Sequence, residues 1–372
     1  MALHTVATTE RPADLLRGWD AVEWWVGNAR AVAQLCINGL GFRCLAYRGP
    51  ETGSPDRVSY VLGQGAVRFV VTAALEPSDP LWDHVRRHGD GVRALSFAVD
   101  DVERAYAAAV SHGAVALAGP TVEADGDGHV TVAEVGGYGD TVHRFTRREH
   151  RRWAPGFSDD GLPRSDDVAV GLTSLDHVVG NVAEGDLGAW VEFYREVFGF
   201  RELTHFDRDQ ISTEFSALRS TVMTDGHGLM MPINEPAPGR RRSQIEEYLD
   251  AYHGPGVQHL ALATDDIVHA VDRIRRRGVR VLVPPADYYV DARARMDGLG
   301  ADLPWDELAR LGILVDREGD GYLLQVFTEP VVDRPTLFLE IIERHGAAGF
   351  GEGNFRALFE AIERQQARRG HL

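Results

Sequence analysis

Three ionisable residues stand in apolar segments of the kind that form buried β-strands. His177 lies in LTSLDHVVGNV, His259 in GVQHLALA and Glu340 in PTLFLEIIE. Alternate residues share one face of a strand, so Glu340 shares its face with Phe338 and Ile342. A carboxylate in such surroundings is costly to desolvate unless it is paired or binds a metal. Two histidines and one carboxylate on neighbouring strands predict the facial triad that holds non-haem Fe(II).

An internal repeat helps to decide whether these residues form a metal site. Taken singly, each histidine could be a hydrogen-bonded core residue, and the glutamate could face solvent or pair with arginine. Residues 88–114, HGDGVRALSFAVDDVERAYAAAVSHGA, match residues 253–279, HGPGVQHLALATDDIVHAVDRIRRRGV, without a gap. His259 in the second copy aligns with Ala94 in the first. A repeat that keeps its form but changes at one candidate ligand places the chemistry in the second half.

A second pair of segments supports the same interpretation. Residues 23–29, EWWVGNA, resemble residues 176–182, DHVVGNV, and this alignment sets Trp24 opposite His177. The first-half segment that corresponds to the glutamate strand, TVHRFTRR, contains no carboxylate. Core histidines would have no reason to change together in this way, so the combination favours a metal site in the second half only.

The repeats also predict the architecture. They run in the order A, B, A′, B′, and each module reads as a strand, a helix and several further strands; residues 58–75, for example, predict a hairpin about a Gly-Gln-Gly turn. Four such modules in two halves predict an α+β fold. The predicted divisions are an N-terminal lead (1–17), a first domain (18–148), a charged linker rich in Pro, Gly and Asp (149–171) and a second domain (172–372).

Two further features have no clear place in the modules. Residues 286–312 form a long excursion in the last module, and long insertions of this sort are often functional or mobile. His84 and His88 lie four residues apart at the start of the second module. We expect these two histidines on a surface turn.

Composition limits the classes of function. The chain of 372 residues has a net charge of −17, which argues against a nucleic-acid or anionic-membrane partner. It has no run of about 18 apolar residues, so no membrane span is predicted. Cys36 and Cys44 form no disulfide framework, which fits a reducing cytoplasm. The N-terminus lacks the charged and apolar regions of a signal peptide. The sequence leaves open whether the chain forms a homo-oligomer.

Three runs in the second half carry a resemblance to a known family. They are MPINEPAPGRRRSQIEEYLDAYHGPGVQHLALATDDI, GILVDREGDGYLLQVFTEPVVDRPTLFLEIIERHG and GFGEGNFRALFEAIE. With these runs the chain resembles the 4-hydroxyphenylpyruvate dioxygenase family of the vicinal oxygen chelate superfamily, over roughly residues 18–372 and more weakly in the first half. The resemblance implies four βαβββ modules in two open β-barrels, of which only the second, catalytic barrel holds Fe(II).

The family's site residues carry over one by one. By resemblance the iron ligands are again His177, His259 and Glu340. The catalytic side chains are four uncharged amides, Gln258, Gln325, Asn234 and Gln244. The substrate-binding residues are a serine, a proline and five phenylalanines: Ser220, Pro232, Phe327, Phe338, Phe350, Phe355 and Phe359. Hydroxyl and amide groups suit a phenol and a 2-oxo acid without adding charge, and phenylalanines offer a dry wall for the ring.

The C-terminal segment predicts a lid. GFGEGNF contains three glycines in five residues, which predicts a hinge, and Asn354 is predicted to cap the helix that follows. This helix would close the barrel mouth and exclude water. The alternative is that Phe355 and Phe359, with Leu358 and Ile362, only dock a terminal helix by their i, i+3, i+4, i+7 spacing.

The implied reaction converts 4-hydroxyphenylpyruvate and O₂ to homogentisate and CO₂, a step of tyrosine catabolism. Because the 2-oxo group is within the substrate, no 2-oxoglutarate is needed. The nearer alternative is a 4-hydroxymandelate synthase, which hydroxylates the benzylic carbon of the same substrate; the intact Pro-Ile-Asn motif and the glycine-rich terminal segment favour ring attack. A non-catalytic binding module is the more distant alternative, and it would have no cause to keep an iron triad in one half only.

Overall fold

A computed structural model describes residues 10–159, 169–206, 217–285 and 287–370. The predicted N-terminal lead up to residue 9, and residues 160–168 of the predicted linker, lie outside these described residues. Within the rest of the lead, a short helix precedes the first strand, which begins at Leu16.

The described strands form two sheets of eight. The first sheet contains β1 (Leu16–Trp25), β2 (Arg43–Arg48), β3 (Arg57–Gln64), β4 (Val67–Ala74), β5 (Gly91–Val99), β6 (Ala116–Asp125), β7 (Gly128–Gly136) and β8 (Val142–His150). The second contains β9 (Leu172–Asn181), β10 (Arg201–Phe206), β11 (Ala217–Thr224), β12 (Met230–Ala237), β13 (Gly256–Thr264), β14 (Leu314–Glu318), β15 (Gly321–Phe327) and β16 (Phe338–His345). Their orders correspond strand for strand: β2-β3-β4-β1-β5-β8-β7-β6 and β10-β11-β12-β9-β13-β16-β15-β14.

The helices lie before, between and after these strands. They are α1 (Pro12–Leu15), α2 (Ala29–Gln34), α3 (Pro80–His88), α4 (Val102–Ser111), α5 (Leu187–Phe193), α6 (Gln244–Tyr252), α7 (Ile267–Arg276), α8 (Tyr288–Arg295), α9 (Trp305–Leu311) and α10 (Glu352–Arg369). A π-helical turn continues α2 over Leu35–Gly39 and another continues α5 over Tyr194–Phe198; a 3₁₀ turn spans Pro50–Thr52. None of the described helices is long and apolar enough to cross a membrane.

The predicted βαβββ modules are confirmed. The four modules begin with β1, β5, β9 and β13, and each first strand is followed by a helix and three strands. In each half the two first strands pair antiparallel, β1 with β5 and β9 with β13, so two modules build one curled half-barrel. The α+β fold and the C-terminal helix are therefore as the sequence predicted.

The Asp-Asp pair that both copies of the repeat share has a local structural role. Asp101 caps α4 by accepting a hydrogen bond of 3.0 Å from the backbone N of Arg104, and Asp266 caps α7 by accepting one of 2.9 Å from the backbone N of His269. A cap of this type stabilises a helix by about 1 kcal/mol. The repeated Asp-Asp pair thus fixes where the helix of each second module begins.

The two halves share one continuous core. Phe97 of the first half packs against Phe198 of the second, with ring centroids 5.8 Å apart. The hydroxyl of Tyr194 lies 2.8 Å from Nε2 of His143, which is fully buried. The barrels are therefore held together by apolar packing as well as by the chain that links them.

One sequence expectation needs correction. His84 and His88 do not lie on a surface turn; they belong to α3, and only 8% and 3% of their surface is exposed, because α3 packs between the first sheet and α6. The long excursion of the last module contains two helices, α8 and α9. The hydroxyl of Tyr288 on α8 accepts a hydrogen bond of 2.6 Å from the backbone N of Val315, which ties this helix to β14.

Candidate metal centre and substrate cavity

The three candidate metal ligands converge because their strands are neighbours. β13 lies between β9 and β16, and Ala261 on β13 is the register partner of both His177 and Glu340. His259 lies two residues before Ala261 and therefore points to the same side of the sheet. The exposed fractions of His177, His259 and Glu340 are 2%, 8% and 1%, so all three are removed from bulk water.

The ligand atoms are spaced for one ion. Nε2 of His177 lies 3.2 Å from Oε2 of Glu340, and Nε2 of His259 lies 3.4 Å from the same oxygen. Metal–ligand bonds of about 2.0–2.2 Å separate neighbouring ligand atoms of an octahedral ion by about 3 Å. The observed spacing therefore suits an ion bound on one face by two imidazoles and one carboxylate, with further positions open.

The outer nitrogens of both imidazoles are held by acceptors. Nδ1 of His177 lies 2.7 Å from Oδ1 of Asp176, and Nδ1 of His259 lies 2.9 Å from Oε1 of Gln258. Each Nδ1 therefore donates its proton, so each imidazole, when neutral, turns the lone pair of Nε2 toward Glu340. Two such lone pairs and a carboxylate that converge are the donor set expected around a cation.

The charges of the three ligands are strongly coupled. Burial lowers the pKa of His177, but Glu340 and Asp176 outweigh burial and raise this pKa to about 9. Burial lowers the pKa of His259. Burial would raise the pKa of Glu340, but His177 and His259 lower it to about 2. The site without an ion thus holds one exchangeable proton, on His177, and a divalent ion can replace it.

A hydrogen-bond chain ties the carboxylate ligand to the terminal helix. Nε2 of Gln325 donates to Oε1 of Glu340 at 2.8 Å, and Nδ2 of Asn354 donates to Oε1 of Gln325 at 3.0 Å. The hydroxyl of Tyr288 donates to Oδ1 of Asn354 at 2.6 Å. Oε2 of Glu340 is therefore available to an ion. Its other oxygen, Oε1, is bound by Gln325, which is in turn hydrogen-bonded to Asn354 of α10.

The predicted capping role of Asn354 is wrong. The N-cap of α10 is Gly351, whose φ of 74° is in the left-handed region, and it gives no side-chain cap. Oδ2 of Asp316 instead accepts from the backbone N of Gly353 at 2.8 Å. Asn354 lies in the first turn of the helix, where its amide donates to Gln325.

A second chain ties a histidine ligand to the same helix. Arg344 donates to both carboxylate oxygens of Asp176 at 2.8 Å, and this arginine together with His177 outweighs burial and holds the pKa of Asp176 well below its usual range. Nη1 of Arg344 also donates to the carbonyl of Gly349 at 2.6 Å. The loop before α10 is therefore connected to His177 through Arg344 and Asp176.

The triad forms one wall of a cavity in the second barrel. Around it lie all of the residues that the sequence singled out: His177, Ser220, Pro232, Asn234, Gln244, Gln258, His259, Gln325, Phe327, Phe338, Glu340, Phe350, Phe355 and Phe359. Two of the polar members are register partners, Ser220 on β11 and Asn234 on β12. Gln244 follows an arginine run but is half-buried as the first residue of α6, where the Ser243 cap directs it inward.

Five further lining residues were not singled out: Val179, Phe206, Leu218, Val222 and Leu358. Period-two alternation could have found three of them, because Val179 follows His177 by two residues and Leu218 and Val222 flank Ser220 in the same way. Leu358 adjoins Phe359 on α10. Phe206 ends β10 with no motif nearby, and its place is set by edge-on packing against Phe355, with ring centroids 5.2 Å apart.

The first barrel differs at each ligand position, though not as the alignment predicted. Strand register pairs Glu23 with Ala94, as it pairs Val179 with His259. The counterpart of His177 is therefore Ala21, and the prediction that Trp24 takes this place is wrong by three residues. The shared Val-Gly-Asn misled the alignment, because the chain between strand and helix is longer in the second half. Ala94 does lie at the place of His259, as predicted.

The position of Glu340 is taken by an arginine in the first barrel. Ser96 pairs with Arg144 in the register that joins Ala261 to Glu340. The guanidinium of Arg144 contacts Oε2 of Glu23 at 2.6 Å and Oε1 of Glu134 at 2.7 Å. Two alanines and a cation replace the ligand set, so these positions hold an ion pair network in place of a metal.

Comparisons with known proteins agree with this arrangement. Residues 174–326 match the model of the Glyoxalase/Bleomycin resistance protein/Dioxygenase superfamily. A 4-hydroxyphenylpyruvate dioxygenase from Yarrowia lipolytica is 43% identical, over 99% of this chain and 98% of its own length. One from Aspergillus fumigatus is 39% identical over the full length of both chains. A mutant of 4-hydroxymandelate synthase from Streptomyces coelicolor superposes with a TM-score of 0.84 at 35% identity, over 95% of this chain and 99% of that one.

The identity and coverage of these relatives extend across both halves, including the half that lacks the ligand set. The match therefore reflects descent of the whole two-barrel chain and does not depend on the motifs of the second half alone. The resemblance seen in the sequence is confirmed: the chain belongs to the 4-hydroxyphenylpyruvate dioxygenase family.

Proposed function

We propose that the protein is an Fe(II)-dependent dioxygenase that converts 4-hydroxyphenylpyruvate and O₂ to homogentisate and CO₂. The observation that carries the proposal is the convergence of His177, His259 and Glu340 on one wall of an otherwise uncharged cavity. Two imidazoles and a carboxylate with open positions are the donor set of non-haem ferrous oxygenases. When bound, the iron would supply the redox chemistry with O₂.

The charge of the cavity fits a monoanionic 2-oxo acid. Among the described residues that line it, none is Lys or Arg, and Glu340 is the one carboxylate. A ferrous ion held by Glu340 leaves one positive charge, which a single substrate carboxylate would neutralise. A substrate with two carboxylates, or with none, would leave an uncompensated charge in this dry site.

The remaining side chains would hold the aromatic part of the substrate. Ser220, Asn234 and Gln244 can donate and accept hydrogen bonds, which suits the phenol and the carbonyl groups. The phenylalanine side chains Phe327, Phe338, Phe350, Phe355 and Phe359 would enclose the ring.

Two of the glutamines would act mainly by positioning. Gln258 holds the imidazole of His259, and Gln325 holds the carboxylate of Glu340. Neither amide brings a charge, so each would orient a ligand without changing the charge balance that binds the substrate. Phe350 and Phe355 at the start of α10 would exclude water from the site while the substrate reacts.

The setting of the enzyme is part of the same proposal. We place it in the cytoplasm, in tyrosine and phenylalanine catabolism, and leave a homo-oligomer open. Both cysteines are free thiols, and burial raises the pKa of Cys36 to about 12, so this thiol is unreactive. Free thiols fit a reducing compartment.

Product identification tests the proposal. The protein is supplied with 4-hydroxyphenylpyruvate, Fe(II), ascorbate and O₂, and products are identified by mass spectrometry against standards. We expect homogentisate, with one CO₂ released for each O₂ consumed. 4-Hydroxymandelate as the main product would instead favour the synthase. This alternative is retained because the chain superposes on a 4-hydroxymandelate synthase from Streptomyces coelicolor.

A matched pair of variants tests the ligand set. His259→Ala should bind no iron and turn over no substrate, yet it should fold, because Ala94 already occupies the equivalent place in the first barrel. His269→Ala, which changes an exposed histidine of α7, should leave both properties unchanged. Full turnover by His259→Ala would show that the iron site is wrongly assigned.

A further inference from the structure

A second cluster of two histidines and one carboxylate lies outside the cavity. His84 and His88 lie one helical turn apart on α3, and Asp140 lies in the turn between β7 and β8. The candidate ligand atoms of the three residues all lie within 4.8 Å of one another. Both histidines are buried, whereas 46% of the Asp140 side chain is exposed. The cluster thus consists of two buried imidazoles and one carboxylate that is in contact with solvent.

The hydrogen bonds of His88 fix its tautomer. Nδ1 of His88 lies 2.6 Å from the backbone carbonyl of Tyr252, which can only accept, so Nδ1 carries the proton. Nε2 of the same ring lies 2.8 Å from Oδ2 of Asp140. A neutral His88 would therefore turn a lone pair toward a carboxylate, and this contact is favourable only if a proton or a metal ion lies between the two atoms.

The environment of His84 favours a metal ion over a proton between His88 and Asp140. Its Nε2 is buried and has no hydrogen-bond partner, although its ring centroid lies only 4.5 Å from that of His88. A proton shared by His88 and Asp140 would leave this nitrogen unsatisfied, and an orphaned buried polar atom costs about 1–3 kcal/mol. A metal ion would satisfy His84, His88 and Asp140 together.

We propose that His84, His88 and Asp140 bind a divalent transition-metal ion of the Zn²⁺ type, with solvent at the fourth position. Two imidazoles at i and i+4 on a helix and one carboxylate are a common ligand set for zinc. A tetrahedral ion with bonds of about 2.0–2.2 Å separates its ligand atoms by about 3.3 Å. Asp140 would therefore move outward by about half an ångström, which its exposed position in a turn allows.

Neighbouring charges narrow the choice of ion. Arg87 contacts Oδ2 of Asp140 at 3.3 Å, and Arg93 donates to the backbone carbonyl of Asp140. These two cations oppose a further positive charge, so ions that bind mainly through oxygen, such as Mg²⁺ and Ca²⁺, gain too little here. Zn²⁺ and Co²⁺ gain more from imidazole nitrogen. Burial, with His88 nearby, lowers the pKa of His84 to about 3, so that ring is neutral and its lone pair is available.

The position of the site suggests a structural consequence. His88 stacks on Tyr252 of α6, with ring centroids 4.5 Å apart, and α6 leads directly into the strand that carries His259. An ion that fixes His88 would therefore strengthen the contact between the first half and α6. Because a ligand that binds only the folded state stabilises it, the ion should raise the melting temperature of the protein.

Metal stoichiometry tests the proposal with the full chain. Chelator-treated protein is dialysed against Zn²⁺, and bound zinc is measured by atomic absorption. We expect two ions per wild-type chain, one for His84→Phe, one for His259→Ala, and none for the double variant. Phenylalanine keeps the edge-on packing of His84 against Trp25, 5.1 Å between ring centroids, and removes only the ligand nitrogen.

A second variant and a control complete the test. Asp140→Asn changes a half-exposed side chain, so it should fold normally and weaken the second ion by at least tenfold. His227→Ala, which removes an exposed histidine, should still bind two ions. Zn²⁺ should raise the melting temperature of His259→Ala but not that of the double variant. A single ion in the wild type that His259→Ala abolishes, or two ions retained by both His84→Phe and Asp140→Asn, would overturn the proposal.

Discussion

At the residue scale, each candidate iron ligand depends on the partner behind it. His177 faces the carboxylate Asp176, whereas His259 faces the amide Gln258. Burial lowers the pKa of both histidines, but only at His177 do Glu340 and the second carboxylate outweigh it and raise the pKa, to about 9. The two histidines therefore enter metal binding in different protonation states, although they stand on equivalent strands.

The first prediction concerns the proton on His177. Because the pKa of His177 is raised to about 9 in the ion-free site, a divalent ion must displace one proton below that pH. The apparent association constant for the ion should then rise about tenfold per pH unit and level off near pH 9. Calorimetry in buffers of different ionisation enthalpy measures the proton released. Zero protons released at pH 7 would contradict the raised pKa.

The raised pKa of His177 also determines whether the ion-free protein becomes more or less stable as pH rises. An unfolded histidine titrates near pH 6.5. The interaction of His177 with Glu340 and Asp176 is therefore fully present below that pH and is lost as pH rises through about 9. We expect the urea midpoint of the ion-free protein to fall over this interval, and the His177→Ala variant to lack that fall.

The next prediction concerns the polar end of the cavity. Asn234→Ala should lower kcat/KM by at least tenfold while changing the free energy of unfolding by little more than about 1 kcal/mol, because it removes one oriented hydrogen bond. Asn38→Ala is the control, since Asn38 is exposed and bonds only within its own helical turn to Gln34. Equal kinetic constants in the two variants would make Asn234 a structural residue.

Residue types in context singled out residues that line one cavity in the structure, and the failures have identifiable causes. The correspondence of His259 with Ala94 could be predicted because the two segments align without a gap. The alignment of Trp24 with His177 was wrong because it followed the shared Val-Gly-Asn. The loop after this strand differs in length between the two halves, and only the strand register reveals that difference. The burial of His84 could not be read from its spacing, because it depends on packing between α3 and the other half.

At the element scale, α10 does more than close the cavity. Its first turn holds Gln325 through Asn354, and the loop before it holds Arg344 through Gly349. Gln325 contacts Glu340, and Arg344 contacts Asp176 behind His177. Movement of this helix would therefore alter the positions of two candidate ligands together, which would couple closure of the site to the geometry of a bound metal.

A pair of glycines tests this coupling. At Gly351, where φ is 74°, an added Cβ would lie 2.1 Å from Oε1 of Gln325. At Gly370, where φ is 75°, an added Cβ would have no neighbouring atom within 4 Å among the described residues. Both substitutions by alanine carry the left-handed backbone penalty of about 1 kcal/mol, so they differ only in the clash. Gly351→Ala should lower coupled turnover more than tenfold and still bind iron, while Gly370→Ala should keep normal turnover.

Oxygen consumption distinguishes loss of closure from loss of iron in the glycine variant. If α10 excludes water, Gly351→Ala should consume more O₂ than it forms homogentisate. The helix would be only a packing element if the two glycine variants behaved alike in iron binding, rate and coupling.

Elements with strong local signals were predictable, and those supported by distant contacts were not. The hairpin of β3 and β4 and the helices α4 and α7 follow from alternation, helical periodicity and Asp caps. α8 has weak amphipathic character, and its residue Val290 is 69% exposed. What holds α8 is the hydroxyl of Tyr288, which bonds to Val315 and Asn354 far along the chain. No pattern within 286–312 carries that information.

At the scale of the whole molecule, duplication produced two barrels with different tasks. The second barrel keeps two histidines and one carboxylate that can hold an ion. In the first barrel Arg144 occupies the place of Glu340 and pairs with Glu23 and Glu134. Burial would raise the pKa of Glu23, but Arg144 outweighs it and lowers that pKa. The positions that correspond to the ligands are thus occupied by ion pairs in the first barrel.

The last prediction separates scaffold from catalysis. Arg144→Ala leaves the buried Glu23 and the half-buried Glu134 without their cation, which should destabilise the protein by about 3 kcal/mol at pH 7. Because the pKa of Glu23 would then rise, the loss should shrink as pH falls toward 5. The kcat of the folded fraction should not change. Arg147→Ala, on the same strand but in an exposed pair with Glu149, should cost at most about 1 kcal/mol. Equal melting temperatures for the two variants would mean that the Arg144 network is not needed for the fold.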